Sequence, residues 1–287
     1  MLIMSTILSI QSHVAYGYVG NKAATFPLQL LGHEVVNINT VQFSNHTGYG
    51  KWQGQVFDHE HISEVISGLE ELGILGKCNA LLSGYLGDAS IGASILTAYR
   101  KIKALNPGVI YCLDPVMGDI DRGLYVRPGI FEFFKNEAFK VADIITPNQF
   151  EAQKLTDIKI ENINDAKASA IKLHSMGPKL VLITSLTYTS NTPEHIDILV
   201  YDGSKFYCMQ TPWIKISQKS VAGSGDTTTA LFLGHFLKNH DIKRSMELTI
   251  NTMYNLFVIM EAADEFELPL IAGQDAIRNP IIKFKVE

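Results

Sequence analysis

The stretch Ile144-Ile145-Thr146-Pro147-Asn148-Gln149-Phe150-Glu151-Ala152-Gln153-Lys154-Leu155 holds one complete unit of the fold in twelve residues. The run 144–146 is β-branched throughout and too short for a helix, which suits a strand covered on both faces. Pro147 ends it, Asn148 is a helix-capping type, and 149–155 carries a helical pattern. The alternation repeats in both directions. Runs at 6–10, 35–38, 80–83, 109–113 and 180–184 read as strands, and 21–31, 59–72, 91–105, 130–136 and 165–176 as helices, many ended by Gly or Pro. Repeated βα winding predicts an α/β protein with a parallel sheet. Farther on, 197–201 and 205–209 flank Asp202-Gly203-Ser204 as a hairpin, and long helices follow at 227–239 and 245–263. No linker, low-complexity tract or repeat interrupts the series, so 1–287 reads as a single domain. The segment 41–55 differs in kind: rich in Asn, Thr, Gly and aromatics, it reads as a lid or substrate loop.

With 287 residues and 46% hydrophobic content, the chain can build a sizeable core. A net charge of -5 and a pI near 6.0 argue against nucleic acid and anionic membrane as partners. Cys78, Cys112 and Cys208 are odd in number and lie in apolar runs, the pattern of reduced thiols in a cytoplasmic protein rather than of disulfides or zinc ligands. No signal-peptide pattern or membrane-length apolar run is present. Asp58-His59-Glu60-His61 reads as an acidic, solvated helix start, and His33, His174, His195, His235 and His240 as surface residues.

In wound α/β sheets ligands lie beyond the carboxyl ends of the strands, so polar residues there are the candidates. Gln11-Ser12-His13 follows the first strand, where the Ser12 hydroxyl binds either a ligand atom or the local backbone. Asp114-Pro-Val-Met-Gly-Asp119 places two carboxylates across a Pro/Gly turn, suited to a divalent ion near phosphates or to a plain capped turn. In Thr146-Pro-Asn-Gln-Phe-Glu151, Asn148 and Glu151 share a helix face, either orienting a metal-bound water or forming a capping box. Thr184-Ser185 offers hydroxyls to phosphate oxygens. Finally Gly223-Ser-Gly-Asp226 opens an apolar helix. Its glycines let backbone N–H groups approach an anion, and the helix end favours an ionised Asp226 able to take a proton from an alcohol. An ordinary turn with an N-capping aspartate has the same sequence. No Gly-x-Gly-x-x-Gly follows the first strand, where Gly17 and Gly20 have the wrong spacing, and no Walker loop is present. Phe43, Tyr49 and Trp52 pack the lid down or face a flat aromatic substrate.

In this order and spacing, Asp114 to Asp119, Thr146 to Glu151 and Gly223 to Asp226 resemble the ribokinase-like superfamily of small-molecule kinases. The lid sequence Ser44-Asn-His-Thr-Gly-Tyr49, with Ile10 to Gly17 and Leu82 to Gly87, resembles the pyridoxal kinases in particular. The resemblance implies a three-layer αβα sandwich with a central, mostly parallel sheet and a small lid. It implies ATP-dependent phosphorylation of the 5′-hydroxyl of pyridoxal, pyridoxine and pyridoxamine, with Mg²⁺, a monovalent cation (K⁺ or Na⁺) and a homodimer. By the same resemblance Asp226 is the catalytic base, and Gly223, Ser224 and Gly225 hold the transferring phosphate. Ser12, Thr47, Tyr85 and Asp226 bind the vitamer. Asp114, Tyr125, Thr146, Asn148, Glu151, Thr184 and Ser185 serve ATP, and Asp114, Asp119, Thr146 and Glu151 serve the metal. Adenine contacts fall around 213–221. Two rival activities share much of this pattern: a hydroxymethylpyrimidine or sugar kinase of the same fold, and a non-catalytic pyridoxal phosphate carrier.

Overall fold

The computed structural model describes residues 5–188, 193–216 and 221–287, so part of the stretch 213–221 lies outside the described residues. β1 (Thr6–Val14) is covered on both faces: Ile7 packs into one core, and Leu8 and Ile10 into the other. α1 (Asn21–Leu30) leads to β2 (Glu34–Phe43), against which β3 (Gly54–Val56) turns back antiparallel. α2 (His59–Glu71), β4 (Cys78–Ser83), α3 (Ile91–Leu105) and β5 (Ile110–Leu113) continue the winding. β6 (Gly118–Asp119) and β7 (Gly123–Leu124) form a separate ribbon. Then come α4 (Ile130–Asn136), β8 (Ile144–Ile145), α5 (Gln149–Thr156), α6 (Ile163–Ser175), β9 (Leu180–Leu186), β10 (His195–Tyr201) and β11 (Phe206–Pro212). Helices α7 (Ser224–Asn239), α8 (Ile242–Ala263) and α9 (Gln274–Arg278) close the chain.

The nine-stranded sheet runs β11-β10-β9-β8-β5-β4-β1-β2-β3, parallel from β2 to β9 and antiparallel at both edges. Helices α2 to α6 supply one core with Leu81, Val181 and Ile183, while α1, α7 and α8 supply the other with Leu82, Leu180 and Leu182. This is the three-layer αβα sandwich expected. Asn251 of α8 holds the C-terminal tail through bonds to Lys283 and Phe284, and the tail's Glu287 N–H donates to the Cys208 carbonyl of β11. Cys78 and Cys112 are buried and all three thiols are free. Among the described residues no helix is long and apolar enough to cross a membrane.

Strand ends depart from the sequence reading. β1 and β2 run to Val14 and Phe43, because their pairing continues through a register shift between Gln11 and His13. Ser12 therefore lies inside a strand rather than beyond it. β9 likewise runs past Thr184 to Leu186 and takes in Ser185, φ 56, at an irregularity against β10. The segment 41–55 begins as β2, with Val41 and Phe43 buried, and ends as β3; only its middle is a loop.

Two of the expected surface histidines, His33 and His235, are buried instead. α7 lies between α1 and α8 and has almost no solvent face, so a polar side chain on it has nowhere to emerge. Burial, then Lys238, His33 and Arg244, lower the His235 pKa to about 4. Its Nε2 has no hydrogen-bond partner among the described residues. Because the folded pKa lies below the unfolded one, the unfolded chain binds the extra proton; the stability tied to neutral His235 is intact above pH 6.5 and is lost as pH falls toward 4. The loss should reach about 2 kcal/mol near pH 5 and about 3 kcal/mol near pH 4. Urea denaturation across this window should show a shallower decline in His235→Gln than in the unmodified chain. Equal declines would assign the acid sensitivity to other groups.

Candidate active site

β1 lies between β2 and β4, and the winding leaves it first toward β2 and then toward β4. A crevice opens at such a reversal, outside the strands' carboxyl ends. Across it Ser12, Tyr85, Asp114, Thr146 and Thr184 stand in a row at or near the ends of β1, β4, β5, β8 and β9. Four strand spacings make the row about 19 Å long, which accommodates two ligands in line.

α7 brings its first turn to the middle of this row. Gly223 is its N-cap in the left-handed region, φ 78, and a Cβ there would lie 1.7 Å from the Tyr18 carbonyl oxygen. Both facts require glycine. The Ser224 hydroxyl donates to the Val221 carbonyl at 2.9 Å, and the Thr227 N–H closes the first turn onto Gly223. Asp226 is thus the third helical residue and not the cap, so the plain capping-aspartate reading fails. Its carboxylate accepts from its own amide and from the Gly20 N–H. Gly20 was passed over in the sequence because it fits no dinucleotide fingerprint. In the structure it has φ 53, and a Cβ would lie 2.1 Å from the Ser12 carbonyl oxygen. The useful signal was the glycine pair Gly17 and Gly20 between the first strand and the first helix.

Asp114 and Glu151 are buried, and Asp226 is half-buried at the mouth of the site. Enclosure raises the pKa of all three; Asp114 is raised further by Glu151 and Asp226. Hydrogen bonds oppose the shift: from Thr229 to Asp114, and from the amides of Asn148, Met117 and Gly118 to Glu151. The helix end does not by itself hold Asp226 low, as the sequence suggested, because desolvation outweighs it. A carboxylate shifted upward is a stronger base.

Around this centre, Thr146 and Thr229 share a 2.7 Å hydroxyl bond, and Thr229 reaches Asp114 at 3.3 Å. Thr229 was not foreseen. Asn148 and Glu151 form a full capping box on α5, and the second Glu151 oxygen accepts the Met117 N–H at 2.9 Å. Asn148 also donates to the Gly118 carbonyl, tying α5 to the β6–β7 ribbon. Asp119 pairs with Arg122, whose guanidinium lies 4.7 Å from the Tyr125 ring centroid. Among the described residues no three His, Cys, Asp or Glu side chains close into a metal-binding group. Of the four expected metal-side residues, Glu151 accepts the Asn148 and Met117 amides, Asp119 pairs with Arg122, and Thr146 and Asp114 are linked through the Thr229 hydroxyl. Thr184 joins Asn148 through a β-bridge at the far end of the row, with Ser185 exposed beside it.

On the other side of Asp226, buried Val14, Val19, Val41 and Phe43 form an apolar wall, with Val56, Tyr85 and Ala222 packed on it. Ser12 stands buried on β1 two residues before Val14, and Thr47 stands exposed on the lid's 3₁₀ turn. The lid aromatics pack down: Phe43 meets Trp52 at 4.2 Å and Tyr49 meets Phe266 at 4.9 Å.

The family model described as phosphomethylpyrimidine kinase matches residues 53–258. The chain is 43% identical to the pyridoxal kinase PdxY of Granulibacter bethesdensis, over 96% of each chain. It is 44% identical to the pyridoxal kinase PdxY of Rubrobacter xylanophilus, over 98% of this chain and 96% of that one. In structure it is similar to the pyridoxal kinase from Leishmania donovani in complex with ADP and pyridoxamine, with a TM-score of 0.90, 29% identity and 98% of both chains covered.

Proposed function

The chain belongs to the pyridoxal kinase branch of the phosphomethylpyrimidine kinase family, and from that premise we propose that it transfers the terminal phosphoryl group of ATP to the 5′-hydroxyl of pyridoxal, pyridoxine and pyridoxamine, a step of vitamin B6 salvage. The observation that carries this reading is Asp226 between an apolar wall and the hydroxyl and carboxylate groups that line the sheet toward β9.

In the mechanism, the vitamer ring lies on the Val14–Val41–Tyr85 wall with Ser12 and Thr47 oriented to its polar atoms. Asp226, held by the Gly20 amide, takes the 5′-hydroxyl proton as the oxygen attacks. The turn from Gly223 to Gly225 sets the α7 N-terminus against the charge that builds on the transferring group. Thr146, Asn148, Thr184, Ser185 and Tyr125 lie on the nucleotide side. Mg²⁺ suits a site that offers hydroxyl oxygens and the Asp114 carboxylate, which among the described residues is bonded by the Thr229 hydroxyl and not by an amide or a guanidinium, because the ion keeps several waters and shares nucleotide phosphates. When bound it supplies charge neutralisation at the phosphates. Glu151 and Asp119 act through water and through the ribbon they brace. A monovalent cation, a homodimer and a cytoplasmic location complete the proposal.

The test is ATP consumption dependent on each of pyridoxal, pyridoxine, pyridoxamine, hydroxymethylpyrimidine and a sugar alcohol. Pyridoxal should be turned over with a kcat/KM at least tenfold above hydroxymethylpyrimidine, a modest gap for pockets that differ in a few contacts. Preference for hydroxymethylpyrimidine would place the chain with the kinases its family model is named for. Tight pyridoxal phosphate binding with no ATP use would make it a carrier.

A further inference from the structure

Glu267 lies beyond α8, in no motif, yet it joins two walls of the site. One carboxylate oxygen accepts the Tyr49 hydroxyl of the lid at 2.5 Å; the other accepts the Tyr18 N–H, between β1 and α1, at 3.0 Å. A Cβ on Gly17 would fall 2.6 Å from the Glu267 carboxylate, so the carboxylate sits flush against the loop only because that residue is glycine. The loop it grips is the one that builds the base. The Tyr18 carbonyl abuts the Gly223 cap of α7, and Gly20 donates to Asp226. The lid residue it grips is two positions from Thr47, on the same 3₁₀ turn. Tyr49 also packs on Phe266 and edges Tyr16 at 6.3 Å, so the tip is seated by ring contacts as well as by the carboxylate. From the opposite side, Arg122 Nη1 lies 3.7 Å from the position a Gly48 Cβ would take.

We propose that Glu267 is a positioning residue for the acceptor half of the site: it pins the lid tip and the Gly17–Gly20 loop to each other, and so sets Thr47 and Asp226 around one vitamer. The proposal rests on the pyridoxal kinase reading. A carboxylate serving only fold stability would affect both substrates alike, whereas the hydrogen bonds of this one, among the described residues, run to the lid tip and to the loop after β1.

The experiment compares Glu267→Ala, Glu267→Gln and Tyr49→Phe in the full chain, by steady-state kinetics and by amide hydrogen exchange of residues 44–53 in the ligand-free protein. Glu267→Ala, which removes both charge-assisted hydrogen bonds, should raise the pyridoxal KM roughly tenfold or more and leave the ATP KM within about twofold. Lid exchange should accelerate by roughly the same factor in Glu267→Ala and Tyr49→Phe. Glu267→Gln, which keeps one acceptor oxygen, should fall between. The double variant should be no worse than Glu267→Ala, since the two residues share one interaction. Unchanged pyridoxal KM and lid exchange in folded Glu267→Ala would overturn the proposal, as would equal rises in both KM values. If the unmodified chain fails to use pyridoxal, the kinase reading fails, and lid exchange alone still decides whether Glu267 holds the tip.

Discussion

Asp226→Asn is expected to lower turnover on pyridoxal by roughly two or more orders of magnitude while pyridoxal affinity stays within a few-fold. Asparagine keeps the shape and an oxygen for the Gly20 N–H, so the loop behind it is still held. What it loses is the capacity to take a proton. Stability should not fall. Enclosure raises the Asp226 pKa, so the folded state holds its proton more tightly than the unfolded chain; ionising it as pH rises past the ordinary carboxylate range costs stability. The amide removes that cost and also relieves Asp114, whose pKa Asp226 helps to raise. The expected signature is therefore an enzyme that melts no lower than its parent, binds the vitamer and scarcely turns over. Calorimetric binding, thermal melting and steady-state rates together check it. Near-normal turnover in the folded variant would remove Asp226 from the base role.

The parts of this site that were legible in the sequence are those fixed by neighbours along the chain. α3 and α4 match the expected 91–105 and 130–136 because helical period and their terminating residues are local properties. The Asn148 and Glu151 pair was visible as a possible capping box, and the box is built. Asp226 was visible as an acid after a glycine turn. Strand ends were not, since β1 extends past Ile10 only because β2 continues beside it. Gly20, Thr229 and Glu267 were missed for the same reason on a longer scale: their roles depend on contacts with Ser12, Asp114 and Tyr49, which the chain brings together only on folding. Buried His33 and His235 misled a reading that assigns polar side chains to the surface, because α7 has helices on both flanks and the sheet beneath.

The two glycines of the turn should separate when each is changed to alanine. Gly223→Ala puts an L residue at φ 78, a strain of about 1–2 kcal/mol, and drives its Cβ to 1.7 Å from a backbone carbonyl that no rotamer change can move. The start of α7 must shift away from Tyr18, carrying Asp226 with it. A total destabilisation of about 3 kcal/mol or more, and a fall in turnover of roughly a hundredfold or greater, are expected. Gly225→Ala meets nothing nearer than the Asp114 carboxylate at 3.8 Å, and its φ is ordinary. Within the first turn of a helix the substitution should leave stability unchanged or raise it by about 0.5–1 kcal/mol. Its methyl group, however, enters the space between the α7 N-terminus and Asp114, where the transferring phosphoryl group would approach the amides. Turnover should then fall roughly ten- to a hundredfold with no loss of melting temperature, comparable to removing one donor from an oxyanion hole. Full activity in Gly225→Ala would mean the turn does not hold the phosphate, and parental melting in Gly223→Ala would mean the Tyr18 contact does not constrain it. Loss of fold in one variant and loss of rate alone in the other would assign the first glycine to shape and the second to chemistry.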